Sequence, residues 1–198
     1  MGLNTMAIVA DTVLADEHLA VLGIAPVGSA MAAEEALLRS QPEHVCVVRG
    51  ECYTAVAGYA DALAEAIETE RIGLPGTVIA ASSVSSVGFA DFRVFVDGRL
   101  RRHLCTGDEE SDSNWGEPLA EESLFVFEGR DEELEAEIDG DILIDRVLTI
   151  AGVDNEASLL DANGDAFAPI SCPGEAEATV AKSGSTRKKK SRKWFRRG

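Results

Sequence analysis

The run Phe89-Ala-Asp-Phe-Arg-Val-Phe-Val-Asp-Gly98-Arg-Leu-Arg-Arg-His-Leu-Cys105 sets β-branched and aromatic residues on both sides of Asp97-Gly98, a dipeptide that reverses a chain. Two registers are open to such a hairpin. A two-residue loop pairs odd positions with even ones, mixes Phe92, Val94 and Val96 with Arg99, Arg101 and His103, and sets Arg93 opposite Arg102. A three-residue loop, with Gly98 left-handed in a bulge, pairs even with even. One face then carries Phe92, Val94, Val96, Leu100 and Leu104 with Arg102 among them, and the other carries Asp91, Arg93, Phe95, Arg101 and His103. Burying one face decides register, so the second arrangement is expected.

That register leaves Arg102 on an apolar face, where an unpaired charge is expensive. A carboxylate is therefore expected to meet it, and the following segment offers Glu117, Glu121 and Glu122. Guanidinium geometry favours bidentate pairing to a carboxylate. A structural ion pair of Arg102 with Glu117 or Glu122 is the plainer outcome; a clamp for a ligand carboxylate is the other.

Outward from the hairpin, Thr5 to Ala10 reads as a buried strand and Asp16 to Leu22 as a short helix stopped by Gly23. Ser29 can cap a helix over Ala30 to Arg39, which Pro42 prevents from continuing. His44 to Arg49 is apolar on both faces, as in a central strand, with Cys52 to Ala57 as its hairpin partner. Tyr59 to Glu70 has helical periodicity; Thr77 to Ser82 and Leu124 to Phe127 read as strands; Asp141 to Ala151 reads as one terminal helix closed by Gly152. Strands and helices are interspersed without strict alternation, so an α+β domain is expected over residues 1–152, with a mixed or antiparallel sheet packed by helices. Beyond it the pattern predicts a flexible linker over 153–181 and a disordered basic tail over 182–198.

The charges divide at the same place. The chain has 198 residues, 18 basic and 35 acidic, for a net charge of −17. Nine of the basic residues lie from Lys182 onward with no acid among them; the rest of the chain holds nine arginines, no lysine, and all 35 acids, a net of −26. A body so acidic repels nucleic acid and anionic membrane. Its mean hydropathy of +0.00 excludes a multi-span membrane protein, and no run approaches the ~20 apolar residues that span a bilayer. The first 25 residues carry Asp11, Asp16 and Glu17 and no basic segment, so no secretory leader is read and a cytoplasmic location is expected.

The tail has the opposite chemistry. Arg187, Lys188, Lys189, Lys190, Arg192, Lys193, Arg196 and Arg197 surround Trp194 and Phe195. Such a segment neutralises phosphates and stacks rings on bases, or lies on an anionic leaflet with its rings inserted. Folding back on the acidic body is the competing outcome.

His44-Val-Cys46 and His103-Leu-Cys105 each put a histidine and a cysteine on one face of a predicted strand. Brought side by side they would offer a tetrahedral Cys₂His₂ set, although the CxxC spacing of structural zinc sites is missing. The four cysteines, Cys46, Cys52, Cys105 and Cys172, make no disulfide framework and read as small buried residues. Asp161-Ala-Asn163-Gly-Asp165 begins like a calcium loop, then has Ala166 where the sharp-turn glycine belongs, and reads as a turn. Seven acids between Asp131 and Asp141 read as a solvated face. No GxGxxG, P-loop, GxSxG or HExxH motif occurs. No cofactor or catalytic residue is assigned on this reading.

The run Gly98-x-x-x-Arg102-x-Leu104, followed by Trp115-Gly116-Glu117-Pro118-Leu119, resembles a hairpin-plus-loop pattern in uncharacterised small bacterial proteins, often actinobacterial. The resemblance covers about 35 residues and excludes the basic tail. The group carries no established activity, so what it implies concerns host and fold. The function expected from the whole sequence is a non-catalytic interaction module: an acidic body meets a protein partner, and a basic tail contacts an anionic membrane or nucleic acid. The alternative is a small-ligand- or metal-binding protein using Arg102 or the His44, Cys46, His103 and Cys105 set.

Overall fold

Nine strands form one antiparallel sheet in the computed structural model, which describes residues 4–38, 44–107, 113–127, 137–154 and 158–170. In chain order the strands are β1 (Asn4–Ala10), β2 (Ile24–Ala32), β3 (Val45–Arg49), β4 (Thr54–Ala57), β5 (Thr77–Val84), β6 (Phe89–Val96), β7 (Arg99–Thr106), β8 (Ser113–Gly116) and β11 (Asn163–Pro169). Two further strands, β9 (Val126–Phe127) and β10 (Glu137–Ile138), make a small separate ladder. The order across the large sheet is β2-β11-β3-β4-β1-β5-β6-β7-β8. Central β1 is buried from Met6 to Ala10, because apolar layers cover both its faces.

The helices are short and divide between the two faces. Leu19 of α1 (Asp16–Val21) and Leu63 and Ile67 of α3 (Asp61–Ile67) pack with Met6, Ile8, Val47, Val56, Phe95 and Phe167. On the opposite face, α2 (Ala33–Leu38), α4 (Gly140–Asp145) and α5 (Val147–Ile150) cover Ala7, Val9, Ile79, Phe92, Val94 and Leu104. Phe125 joins this second layer with its ring 5.0 Å from that of Phe92. The architecture is thus α+β, an antiparallel sheet between two helical layers. No helix among the described residues is long and apolar enough to cross a membrane.

Three sequence expectations are corrected. The segment expected as a helix over Ala30 to Arg39 is strand β2 up to Ala32 and helical over Ala33–Leu38, with Arg39 outside the described residues. Hydrogen bonding to β11 holds Ala30, Met31 and Ala32 extended, overriding their helix propensity. The terminal helix is two helices separated by Arg146, whose ψ of 8° interrupts the helical run. The domain does not finish at 152. Residues expected as linker supply β11, which lies between β2 and β3, with Phe167 opposite Val45 and Pro26 and buried at 1% exposure. The Asp161, Asn163 and Asp165 run lies in a 3₁₀ turn (Leu159–Asp161) and the start of β11, and Asp165 reaches Arg49 at 3.5 Å. Residues 155–157 and 171–181 of the expected linker, and the basic tail, 182–198, lie outside the described residues.

The hairpin adopts the expected face assignment over most of its length by a different device. Its turn is the two residues Asp97 and Gly98, both left-handed at φ 49° and 72°. A bulge then lies between the pairs Phe95–Leu100 and Val94–Arg102, leaving Arg101 as the extra residue. Beyond the bulge even positions face even ones and odd face odd: Phe92 opposes Leu104, Val94 opposes Arg102 and Arg93 opposes His103. Leu100 is the exception. It sits opposite Phe95 and packs on the α1/α3 side, not beside Leu104.

Candidate functional site

Two polar constellations occupy opposite faces of the β6–β7 hairpin. The first is centred on Arg102, on the face shared with Phe92 and Val94. Its Nε donates to Glu122 Oε1 at 2.8 Å and its Nη2 to Glu122 Oε2 at 2.7 Å. Its Nη1 donates to Asn114 Oδ1 at 2.7 Å and to the Trp115 carbonyl at 2.9 Å. Glu122 lies in a 3₁₀ turn, Ala120–Leu124, and its Oε1 also accepts from the Leu119 N–H at 3.0 Å. The Arg102 side chain is 3% exposed and that of Glu122 9%. With its donors directed to protein groups, Arg102 works as a fastener between β7, β8 and the following turn. Of the other acids expected near it, Glu117 is exposed and Glu121 half-buried, and neither pairs with it.

The second constellation faces α3. Asp91 and Arg93 lie two residues apart on β6, and His103 and Cys105 do the same on β7, so the register sets Asp91 opposite Cys105 and Arg93 opposite His103. Arg93 grips Asp91 at both oxygens, Nε to Oδ1 at 2.9 Å and Nη2 to Oδ2 at 2.8 Å. Its Nη1 donates to the Ile67 carbonyl at 2.6 Å, fixing the pair to the end of α3. His103 Nε2 lies 3.4 Å from Asp91 Oδ2. Burial alone would raise the Asp91 carboxyl, but hydrogen bonds from His103 and Arg93 outweigh it and hold the group below its ordinary value. Asp91 is therefore an ionised, oriented carboxylate.

Asp91, His103 and Cys105 offer an oxygen, a nitrogen and a sulfur that all lie within 4.8 Å of one another, with Asp91 and Cys105 buried and His103 half-buried. These are metal-ligand types, and His103 and Cys105 belong to the set expected from the sequence. His44 and Cys46 do not join them. His44 immediately precedes β3, which β4, β1, β5 and β6 separate from β7, so the proposed Cys₂His₂ assembly does not form. Cys46 instead faces the other apolar layer, where its Sγ donates to the Met31 carbonyl at 3.2 Å and burial pushes its thiol up to about 11. Such a thiol is a packing group rather than a thiolate ligand.

Asp91 and Arg93 were not singled out as site residues by motif reading. The signal was their i, i+2 spacing opposite His103-x-Cys105, which becomes visible only with the hairpin register in hand. Two hollows flank the cluster. One, of about 200 Å³, is bordered by Tyr59, Ile67, Glu68, Phe89, Asp91 and Arg93. The other, of about 260 Å³, is lined by Glu70, Arg71, Arg99, Leu100 and Trp115. Trp115 joins it to the cluster, its ring edge-on to His103 with centroids 6.4 Å apart. No family model, curated protein or solved structure matches the chain.

Proposed function

We propose that the protein is a non-catalytic binding protein that takes a divalent transition-metal ion, zinc above all, at Asp91, His103 and Cys105. The supporting observation is the clustering of these three donors within 4.8 Å. Zinc bonds of about 2.0–2.2 Å to nitrogen and oxygen in a tetrahedron put those ligands roughly 3.3 Å apart. The 3.4 Å between His103 Nε2 and Asp91 Oδ2 already has that length. Rotation of the Cys105 side chain would bring its sulfur in as the third ligand. Arg93, holding Asp91 from behind, would serve as the outer partner that orients a ligating carboxylate.

Calorimetric titration of the full chain with zinc tests this reading. One equivalent is expected to bind to the wild type and to Cys46→Ser, and none to His103→Ala or Cys105→Ser. Absence of a 1:1 event in the wild type, or its survival in both cluster variants, sinks the reading.

A second reading is an interaction module in the cytoplasm. Its acidic body would meet a protein partner, and its tail would contact an anionic membrane or nucleic acid through Arg187, Lys188, Lys189, Lys190, Arg192, Lys193, Trp194, Phe195, Arg196 and Arg197. The charge division supports it: nine basic residues and no acid from Lys182 onward, against −26 before it. Anionic vesicles and single-stranded nucleic acid retained by the full chain, and not by a chain ended at residue 181, would favour it; equal retention would remove it.

A further inference from the structure

Arginines are scarce in the acidic body, and most of those described have an acid. Arg49 meets Asp16 and Asp165, Arg93 meets Asp91, Arg102 meets Glu122 and Arg146 meets Asp145. Among the described residues Arg71, Arg99 and Arg101 depart from this pattern, with no ion pair or side-chain hydrogen bond; Arg101 is the exposed bulge residue, whereas Arg71 and Arg99 lie directly opposite each other in an antiparallel bridge. The flanking hydrogen bonds run from Leu100 N–H to the Glu70 carbonyl and from Ile72 N–H to the Gly98 carbonyl, both at 3.0 Å. Arg71 and Arg99 are therefore a non-hydrogen-bonded pair, the kind whose side chains stand closest. Like charges directly opposite in a ladder are destabilising when nothing lies between them.

Arg71 and Arg99 border the hollow of about 260 Å³ whose remaining wall is Glu70, Leu100 and Trp115. Trp115 is 45% exposed. Its backbone is held by the Arg102 hydrogen bond to its carbonyl, so the ring stands on a rigid support. Glu70 is the one acid in the wall, which leaves the hollow net positive on a strongly negative body. A small oxyanion between two arginines, joined to a flat ring against an indole, matches this wall in both charge and shape.

We infer that the Arg71/Arg99/Trp115 hollow binds a small aromatic oxyanion, an aryl phosphate or aryl carboxylate, with the anion between the arginines and the ring against Trp115. None of the residues of this hollow is a proposed metal ligand, and its one link to the cluster is the edge-on contact of Trp115 with His103.

Fluorescence titration of the full chain tests the inference, with Trp194→Phe introduced so that emission comes from Trp115 alone. Phenyl phosphate and benzoate are the two probes, and the tighter of them identifies the anion. At least one is expected to quench the emission saturably and to bind about tenfold more tightly than inorganic phosphate, the increment of one ring contact. Arg71→Gln and Arg99→Gln should each weaken it by about tenfold or more, as loss of a charged hydrogen bond does. Arg101→Gln, on the exposed bulge, should leave it unchanged. The same ligand should raise the melting temperature of the wild type and not that of Arg99→Gln. No saturable quenching by either probe, or equal binding by the wild type and both glutamine variants, would overturn the inference.

Discussion

A single side chain decides how the outer end of the sheet is held. Arg102 lies among Phe92, Val94 and Leu104, where an uncompensated guanidinium could not remain, and Glu122 meets it with two hydrogen bonds. Removing one member of a buried pair costs about 3–5 kcal/mol, whereas replacing both by apolar groups of similar volume is often neutral or stabilising. Glu122→Leu is therefore expected to destabilise by roughly that amount. Arg102→Met should destabilise as well, because it leaves the buried Glu122 carboxylate without its two guanidinium donors. The double variant should recover to within about 1 kcal/mol of the wild type. Urea unfolding of the four proteins checks this. Additive losses in the double variant would mean that the two residues act separately, and an unchanged Arg102→Met would mean that the pair contributes nothing. This pairing was legible in the sequence down to a short list of acids, because the cost of a buried charge limits its neighbours. The partner within that list was fixed by the 3₁₀ turn at Ala120–Leu124, which has no periodic signature.

At the scale of elements, legibility follows how local the cause is. The strands β1, β3 and β6 and the helix α3 announce themselves by their own residues, because both-face burial or a 3.6-residue period leaves a run of apolar positions. The face assignment of the hairpin was accessible because burying Phe92, Val94 and Leu104 together admits few registers. Its bulge was not: the local pattern allows the extra residue at Gly98 or at Arg101, and the turn is also held by the Ile72 N–H donating to the Gly98 carbonyl from another part of the chain. The same dependence hid β2 and β11. Ala30-Met31-Ala32 is extended only because Asn163, Gly164 and Asp165 pair with it, and those residues look like loop sequence on their own. Among the described residues β11 is the one neighbour of β2 in the sheet and one of the two neighbours of β3. A chain ended at residue 152 is therefore expected to lose the cooperative melting transition that a chain ended at residue 170 keeps. Within the longer chain, Phe167→Ala should cost about 3–5 kcal/mol, the range for a fully buried phenylalanine. Circular dichroism melts of these chains check the assignment; a cooperative transition in the 152-residue chain would show that β11 is dispensable.

For the whole molecule, the dominant long-range term is charge. A body at −26 repels itself, and the nine basic residues that follow it are the largest block of compensating charge in the chain. Sequence alone reveals this division, since charge needs no fold to be counted. What it leaves open is whether the tail compensates the body or serves a partner, and salt distinguishes the two. Screening shortens from about 10 Å at 0.1 M ionic strength to about 3 Å at 1 M, so added sodium chloride should raise the melting temperature of an acidic body. If the tail lies on the body, a chain ended at residue 181 melts lower than the full chain at low salt, and the difference vanishes as salt rises. If the tail is held for an external anionic surface, the two chains melt alike at every salt concentration, and only the full chain is stabilised by anionic vesicles or nucleic acid. The second result is the one expected here. The body already pairs Arg49, Arg93, Arg102 and Arg146 with acids of its own, so its described arginines are largely compensated without the tail.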